Sequence, residues 1–506
     1  MAKNITLMGA SFSNVPAVVL PQTGGGTASF TDVSDTTATA SDVAQGKVFY
    51  AADGNQTIGT ASGGGGDIKS LIDGSIAAFT LPAGLKEIRS YAFDQCYSLD
   101  IDEIPSGVYR IGDYAFGDCG SLSLTSLPEG LQSYWEEEDV YGEVGRGAFA
   151  GCTSLALTAL PSDWTYVPDE CFQYCTNLAL TSLSNSITNI GSYAFASCTN
   201  LALTALPYDP DGGWYDIGSY AFSGCTKLAL TELPAYLTYI PEGVFYNCTS
   251  LALTALPESV SYISDFAFGV CKSLALTALP DGLTDIGANA FTGCTSLALT
   301  ALPAAVYRIG ERAFFNCTSL ALTALPNNLY SIGDYAFGNC TGITLSALPD
   351  NNMTRIEDGT FYGCTGIILA SLPQRLTYIG SSAFYGCTGI TISVIPAGVT
   401  EIGDNAFREC TGITSLDIPA GVSELAGTFI DCHALTTVIL RKTDAPVQIT
   451  STTFVRTPFA KYGGLTGTAY VPSALIEQYK TANYWKTMYN NGGCTFLPIE
   501  GSQYEL

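Results

Sequence analysis

The chain has 506 residues, of which 20 are basic and 46 acidic, so its formal net charge is −26. Nucleic-acid binders need a basic surface to displace counterions, so this charge argues against that class and against binding to an anionic membrane surface. Hydrophobic residues make up 47% and charged residues 13%, the reverse of the balance in a disordered acidic chain. No apolar run has the length of a signal peptide or a membrane-spanning helix, and the single histidine, His433, excludes a multi-histidine zinc site.

The first 66 residues are rich in Thr, Ala, Ser, Gly and Asp and lack the repeat that follows them. The segments Val48-Phe49-Tyr50 and Gln56-Thr57-Ile58 flank the pair Asp53-Gly54, which favours a tight turn, so we predict a small β-hairpin there. Four glycines, at residues 63–66, are typical of a flexible linker.

The segment from Phe30 to Thr60 resembles the leader segments of phage and prophage tail or fibre proteins, in which an ADG…GT element recurs. This resemblance implies that residues 1–66 form an attachment module that docks the chain onto other virion structural proteins. An ordinary N-terminal cap is the alternative interpretation.

A repeat occupies residues 67–440. The element Phe-x-x-Cys occurs fifteen times, and ten of the fourteen intervals between its phenylalanines are 23 residues long, the others being 33, 27, 24 and 22. A complete unit reads LPDGLTDIGANAFTGCTSLALTA, from Leu279 to Ala301. Such a period indicates a solenoid, in which each unit buries its apolar face only against its neighbours. The repeated phenylalanines are Phe93, Phe116, Phe149, Phe172, Phe195, Phe222, Phe245, Phe268, Phe291, Phe314, Phe337, Phe361, Phe384, Phe407 and Phe429.

Each unit is predicted to contain two short strands and one turn. Leu-Ala-Leu-Thr-Ala-Leu is a strand-like run ended by proline, which cannot continue a ladder, and Leu-Thr-x-Ile is a second run. Ala-Phe-x-x-Cys is expected to form a helical or 3₁₀ turn. The residue before the cysteine is Gly, Asn or Asp in ten of fifteen copies, and these types tolerate the left-handed conformation needed to leave a turn.

Fifteen of the 17 cysteines occupy the repeat position, and the other two are Cys171 and Cys494. One cysteine per unit indicates a small buried apolar side chain, because adjacent parallel units point their Cβ atoms alike and suit a disulfide poorly. No Cys-x-x-Cys pair occurs, and we expect no metal site and no cofactor. Reduced thiols fit synthesis and folding in a cytoplasm.

The pattern LPxxLxxIGxxAFxxCxxL resembles the BspA-type leucine-rich repeats from about Asp67 to Leu440. The resemblance implies an α/β solenoid of about 15 repeats, with short parallel strands and helical or 3₁₀ turns, between a small β-rich N-terminal module and an α+β C-terminal cap. The family usually spaces its strand residues Leu-x-x-Ile-x-Ile-Pro, as do Leu416, Ile418 and Pro419. Most units read Leu-x-Leu-Thr-x-Leu-Pro, which leaves open which strand residues face inward.

Residues 441–506 form the third region, which we expect to cover the last turn, because an uncapped solenoid end is an aggregation edge. Residues 469–472 read as a strand stopped by proline, and residues 473–489 have helix-like apolar spacing. We expect three of the aromatic residues in the core and His433 at the surface or in the cap. The three are Tyr479, Tyr484 and Trp485.

Two insertions, each between the Leu-Pro and the Phe of a unit, are the first candidates for a binding surface. They add ten residues within 131–143 and four within 208–216, and we expect them to project from the same edge. Trp and Tyr are enriched at interface hot spots and suit stacking on sugar rings, while acidic side chains accept hydrogen bonds from hydroxyls. The candidate receptor-binding residues are Tyr134, Trp135, Glu136, Glu138, Tyr141, Tyr208, Asp209, Asp211, Trp214 and Tyr215.

Other aromatic residues have a repeat position. Trp164 aligns with Leu283 and is expected in the core. Tyrosines often precede the repeat isoleucine. They either form an exposed tyrosine surface or stand there because tyrosine is favourable in strands. These tyrosines are Tyr166, Tyr239, Tyr262 and Tyr378.

The sequence favours a non-enzymatic phage virion adhesion protein of the tail or fibre type. It would be made in the host cytoplasm without a signal peptide and would bind a bacterial cell-surface glycan or protein, with no nucleic acid and no membrane insertion. A homo-oligomer is possible, although no coiled-coil heptads occur. The alternatives are a cellular BspA-like surface adhesin that binds host matrix or other cells, and a polysaccharide depolymerase that uses a pair of carboxylates from the insertions.

Overall fold

The computed structural model describes residues 80–81, 83–131, 133, 144–207, 216–235 and 237–505, together with six short strands before residue 58. Those six form three antiparallel pairs. They are β1 (Lys3–Leu7) with β2 (Ala10–Val15), β3 (Val18–Gln22) with β4 (Gly26–Phe30), and β5 (Phe49–Tyr50) with β6 (Gln56–Thr57). The pairing of β5 with β6 confirms the predicted hairpin.

Every later strand is short, and most have two residues and end on the repeat isoleucine. This confirms the second predicted run of each unit. The strands are β7 (Glu87–Ile88), β8 (Arg110–Ile111), β9 (Tyr166–Val167), β10 (Asn189–Ile190), β11 (Asp216–Ile217), β12 (Tyr239–Ile240), β13 (Tyr262–Ile263), β14 (Asp285–Ile286), β15 (Arg308–Ile309), β16 (Ser331–Ile332), β17 (Arg355–Ile356), β18 (Tyr378–Ile379), β19 (Glu401–Ile402), β20 (Ser415–Ile418), β21 (Glu424–Leu425), β22 (Thr437–Leu440), β23 (Gln448–Ile449), β24 (Gly467–Val471) and β25 (Cys494–Pro498).

The chain divides into two units, each a parallel solenoid. The first comprises residues 1–236 and 244–251, and the second comprises residues 237–243 and 252–506. Parallel pairs join β7 to β8 and β9 to β10 to β11 in the first unit. In the second, β12 to β16 form a five-stranded parallel sheet in which Ile240 pairs with Ile263, one repeat later, and β17 to β19 form a three-stranded one.

The predicted strand at Leu-Ala-Leu-Thr-Ala-Leu is wrong for the units with that sequence. Leu155, Leu157 and Leu160 are buried, whereas Thr158 and Ala159 are both exposed. Two consecutive exposed residues break the alternation of a strand, so the run bends and the first, third and sixth residues face inward. Where the sequence alternates strictly, as in β20, a four-residue strand forms.

The turn after each isoleucine carries two left-handed residues, one two positions before the repeat phenylalanine and one two positions after it. Around Phe116 these are Tyr114 (φ 48°) and Asp118 (φ 54°). The second position was predicted and the first was not. The amide of Cys119 donates to the carbonyl of Phe116 (3.1 Å), the i to i−3 bond of a 3₁₀ turn, and the amide of Phe116 donates to Ala148 of the next turn (2.9 Å). The left-handed residues on both sides keep the turn from continuing as a helix.

Phenylalanine rings stack along the core of each unit. Successive rings lie 5.3–6.2 Å apart between centroids, with interplanar angles of 3–23°. In the second unit the column continues past the last Phe-x-x-Cys element to Phe454, where Thr457 takes the cysteine position and donates to the carbonyl of Phe454 (2.7 Å). The stack therefore extends beyond Leu440 by one turn.

The tail continues the sheet of the second unit. Strands β24 and β25 add in parallel to β20 and β22. The tail also contains α-helices Ile476–Thr481 and Trp485–Asn490 and 3₁₀ helices Pro458–Ala460, Tyr462–Gly464 and Ser473–Leu475. No helix in the described part of the chain is long and apolar enough to span a membrane.

Two of the three aromatic residues predicted in the core of the tail are there. The Tyr479 hydroxyl accepts a hydrogen bond from the amide of Val447 (3.0 Å), and the Trp485 indole donates to the carbonyl of Val447 (2.8 Å). The prediction for Tyr484 is wrong, since 38% of this residue is exposed. Its left-handed backbone (φ 62°) separates the two α-helices, so its side chain leaves the apolar face that the spacing predicted.

Candidate functional site

All ten candidate residues of the two insertions lie outside the described residues, because residues 134–143 and 208–215 are not among them. The structure shows where both insertions end. Val144 forms a parallel bridge with Ile111, and Asp216 begins β11, which pairs with β10. Both insertions therefore rejoin the repeat just before or at its strand. That they project from one edge stays a prediction.

Trp164, which was predicted in the core, is fully buried. Its indole nitrogen donates to the carbonyl of Leu131 (2.6 Å), and its ring stacks on Phe172 at 6.2 Å. This tryptophan lies in the core of the first unit and is not available to a ligand.

The two residues directly before each repeat isoleucine are mostly exposed. From turn to turn they form two columns, of which the first holds the residue two positions before the isoleucine and the second holds the residue directly before it. We call these two columns together the strand face. Thr and Ser in the first column bind the preceding turn: the Thr284 hydroxyl donates to the carbonyl of Ser261 (3.0 Å), and the Thr377 hydroxyl donates to that of Thr354 (3.1 Å). These bonds hold the face in register from turn to turn.

In the second unit the strand face has a distinctive composition from β12 to β18. Its fourteen residues are five tyrosines, six serines or threonines, two arginines and one aspartate, with no aliphatic side chain. They are Thr238, Tyr239, Ser261, Tyr262, Thr284, Asp285, Tyr307, Arg308, Tyr330, Ser331, Thr354, Arg355, Thr377 and Tyr378.

Tyr330 is the most exposed aromatic residue of the described chain, at 76%, and Tyr307 on the preceding turn is 45% exposed. The Asp285 carboxylate raises the pKa of Tyr307, chiefly as an acceptor for its phenol hydrogen. One guanidinium nitrogen of Arg308 lies 4.0 Å from the same carboxylate. Asp285 thus orients a tyrosine and an arginine at the surface while it is itself buried.

Arg355 and Tyr378 form a second group on this face. The Arg355 guanidinium lies 3.9 Å from the centroid of the Tyr378 ring, a cation–π contact, and binds both carboxylate oxygens of Glu357 (2.8 and 3.1 Å). The Tyr378 hydroxyl donates to Asp358 (3.2 Å), and burial raises the pKa of Tyr378 to about 12. At neutral pH this phenol is therefore an uncharged donor.

Tyrosines on the turns have a different environment. Tyr335, Tyr362 and Tyr385 form a column with centroid separations of 6.0 and 4.7 Å, and Arg312 and Arg408 lie over its two ends. The rings of Tyr362 and Tyr385 stack at an interplanar angle of 17°, whereas those of Tyr335 and Tyr362 are tilted at 51°, so neighbouring rings and guanidinium groups cover part of the ring faces. Their role is to pack the turns.

Tyr307 and Tyr330 were missed from the sequence, which pointed only to tyrosines in the second column. The signal was present: both residues occupy the position where Thr284 and Thr354 stand in other units. A large ring where the repeat requires only a hydroxyl indicates a role outside the fold.

The cysteines form a buried column with a hydrogen-bonding role. All seventeen are free and buried. The thiol of Cys317 donates to the carbonyl of Phe291 on the preceding turn (3.0 Å), and the other column cysteines repeat this bond at 2.9–3.1 Å wherever it is resolved. Burial raises the pKa of the Cys317 thiol well above its usual range, so it is neither a nucleophile nor a ready metal ligand at neutral pH.

The described residues contain no group of three or more His, Cys, Asp or Glu side chains placed to hold a metal ion. His433 lies near the tail, where its ring stacks on Tyr462 at 4.5 Å and its Nε2 is 3.6 Å from Asp431. Its side chain is 37% exposed, which agrees with the predicted surface or cap position.

The sequence matches the family model for the BspA-type leucine-rich repeat region at residues 73–138, 138–211, 215–344 and 332–457. A search of curated proteins found no significant match.

Among solved structures, the fold is similar to a leucine-rich repeat protein from Bacteroides ovatus, with 22% identity, coverage of 79% of this chain and 94% of that chain, and a TM-score of 0.54. A further match is a leucine-rich cell surface protein from Faecalibacterium prausnitzii, with 19% identity, coverage of 71% of this chain and 88% of that chain, and a TM-score of 0.37. Another is the pneumococcal vaccine antigen PcpA, with 16% identity, coverage of 87% of this chain and 96% of that chain, and a TM-score of 0.41. At these identities the likeness concerns the fold alone. The repeat pattern, the stacked parallel turns and the family match together show that the chain belongs to the BspA-type leucine-rich repeat family.

Proposed function

We propose that this protein is a non-enzymatic adhesion protein of a phage virion, of the tail or fibre type, that binds a bacterial surface receptor through its solenoid. The observation that carries the proposal is the strand face of the second unit. There Tyr307 and Tyr330 project from a scaffold that does not need them. Exposed aromatic residues on a rigid face are the usual anchors of binding surfaces.

The placement in a virion rests on the first 66 residues, whose sequence resembles phage leader segments. In this proposal they join the chain to other virion structural proteins. The free thiols suit synthesis in a reducing host cytoplasm, since an oxidising compartment favours disulfides. The two aromatic insertions, with Trp135 and Trp214, would add receptor contacts on the first unit.

Immunoelectron microscopy of virions, with antibody raised against the repeats, tests this proposal. We expect label at the tail or its fibres. Absence of label from intact particles would refute the virion assignment. Secretion of a reporter fused to residues 1–66 would then favour a cellular surface adhesin.

Incubation of host polysaccharide with the protein tests the non-enzymatic part. We expect no new reducing ends. Their appearance would instead support a depolymerase that uses the acidic insertions.

A further inference from the structure

We infer that the strand face of the second unit, from Tyr262 to Tyr378, is a binding site for a neutral polysaccharide, with the rings of Tyr307 and Tyr330 as its stacking platform. The inference rests on the proposed adhesive function and names the chemical class of its receptor.

The two platform tyrosines come from the same column on adjacent turns. The amide of Tyr330 donates to the carbonyl of Tyr307 (2.9 Å), which fixes one backbone against the other. In the described part of the chain neither ring stacks on another aromatic ring, unlike Tyr362 and Tyr385, which stack on each other. A tyrosine offers a large flat face with only two side-chain torsions to immobilise, so its ordering cost on binding is small.

The composition of the face favours a sugar over a protein. All eleven of its side chains from Tyr262 to Tyr378 carry a hydroxyl or a charged hydrogen-bonding group, and the ring faces are its only broad apolar surface. The core of a protein interface is enriched in Trp, Phe and Met as well as in Tyr and Arg, and it is depleted of Ser and Asp. This face has no Trp, Phe or Met and carries Ser331 and Asp285 beside several threonines. A sugar ring matches it better, because one side presents C–H groups and the rim presents hydroxyls that both donate and accept hydrogen bonds.

The charges of the face favour a neutral polymer. Arg308 lies beside Asp285, and Arg355 is paired with Glu357, so each guanidinium has a carboxylate neighbour. An anionic polymer would have to compete with these carboxylates and approach a chain of net charge −26. A neutral polysaccharide meets neither obstacle and can still use both the donors and the acceptors of each pair.

The length of the face suits the interior of a linear chain. Six turns carry the residues from Tyr262 to Tyr378, and five steps of about 4.8 Å give a strip about 24 Å long. Such a strip spans several sugar units.

Affinity electrophoresis of the full-length protein tests this inference. Native gels would contain dextran, mannan, xylan, galactan or a mixed-linkage β-glucan as neutral polymers, polygalacturonate as an anionic polymer, or gelatin as a polypeptide. We expect at least one neutral polymer to retard the protein. We expect the double variant Tyr307→Thr, Tyr330→Thr to lose at least tenfold in affinity.

The variants are chosen so that the fold is preserved. Thr284 and Thr354 occupy the positions of Tyr307 and Tyr330 in other units, so threonine is compatible with the turn. The control is Tyr174→Ser, because Tyr174 is 54% exposed on a turn of the first unit and Ser197 stands at its position in the next turn. The control should bind like the unmodified protein, and all variants should keep its melting temperature.

Retardation by no neutral polymer, or only by polygalacturonate or gelatin, would overturn the inference. So would unchanged affinity in the double variant. If the protein then still bound bacterial cells, the adhesive function would stand and only the receptor class would fall. If the protein bound neither a neutral polymer nor bacterial cells, both the receptor class and the adhesive function would be rejected.

Discussion

Each column cysteine combines burial with a hydrogen bond to the neighbouring turn. Burial could be predicted from the sequence, because one cysteine per unit, in register, indicates a small buried side chain and suits a disulfide poorly. The bond from the Cys317 thiol to the Phe291 carbonyl does not follow from it, since the bond depends on how far successive turns are offset along the axis. That carbonyl also accepts the amide of Cys294, so it keeps a partner when the thiol is removed.

Replacing Cys317 with alanine should lower the free energy of unfolding by about 1 kcal/mol, the net value of a typical hydrogen bond. Urea denaturation measures the change. The matched control is Ser319→Ala, an exposed position two residues away, which should stay within about 0.5 kcal/mol of the unmodified protein. An alanine variant at position 317 as stable as the control would contradict the role given to the thiol.

Cys96 should be the most reactive thiol of the column. Burial raises its pKa to about 11, whereas burial raises the pKa of Cys119, the next thiol in the column, further still. Cys96 also keeps 7% exposure, against 0% for Cys119. Brief alkylation at pH 8.5 followed by peptide mass spectrometry should therefore modify Cys96 first. Equal modification of Cys96 and Cys225 would refute this order.

At the scale of the element, the repeat period and the isoleucine strands could be predicted, because Phe, Cys and Ile recur at fixed spacing. The strand at Leu-Ala-Leu-Thr-Ala-Leu could not be judged correctly, since apolar content alone does not show that Thr158 and Ala159 both face solvent. The turn that ends on Thr457 was hidden because threonine replaces the cysteine by which the repeat was recognised.

The left-handed position before the phenylalanine was missed for a different reason. It is occupied by Tyr114, Glu170 and Arg312 as well as by glycine, so composition gives little signal there. The conformation is enforced by bonds between turns, such as that from the amide of Tyr114 to the carbonyl of Arg146 (2.9 Å). Local propensity cannot reveal a bond made to the next repeat.

The same turn predicts a stabilising substitution. Val270 is held at φ 64°, a conformation that a β-branched residue adopts only at a cost, while Asn247 and Asn316 fill this position in other turns. Val270→Asn should therefore raise the free energy of unfolding by about 1 kcal/mol. The reverse change, Asn339→Val, should lower it by at least as much, because it also removes the bond from Asn339 to Asn316 (2.9 Å). Urea denaturation of both variants measures the two effects, and a destabilised Val270→Asn would contradict them.

At the scale of the whole molecule, the buried neutral thiols make the stability fall at alkaline pH. The usual thiol pKa is 9.0, and burial raises the folded-state pKa of Cys294 to about 12 and that of Cys171 well above its usual range. Above pH 9 the unfolded chain releases protons that the folded chain retains. The stability present below pH 9 is therefore lost progressively as pH rises through the folded pKa values.

Melting temperature should accordingly fall between pH 9 and pH 11, as measured by circular dichroism. Cys171→Ala is the matched variant, since Ala194 occupies this position one turn later. Above pH 9, the free energy of unfolding of this variant should fall less steeply than that of the unmodified protein. The difference should be about 1.4 kcal/mol per pH unit, which is the contribution of one ionising group. A constant melting temperature, or equal slopes for the two proteins, would contradict the assignment.

The candidate site was only partly accessible from sequence. The tyrosines before the isoleucine suggested an exposed surface, and Tyr239 is indeed 43% exposed. The arrangement of the side chains decides which rings contact a neighbouring ring and which are open. Tyr330 and Tyr335 are only five residues apart, yet Tyr330 is highly exposed whereas the ring of Tyr335 contacts that of Tyr362. The aromatic insertions stay a prediction, since their residues are not described.

In the proposed function, the strand face of the second unit attaches the protein to bacteria. The most direct test of this claim is the saturable binding of fluorescently labelled full-length protein to cells of the bacterial host. We predict that Tyr307→Thr with Tyr330→Thr weakens this binding at least tenfold, while Tyr174→Ser leaves it unchanged. Equal binding by the double variant and the unmodified protein would contradict the claim.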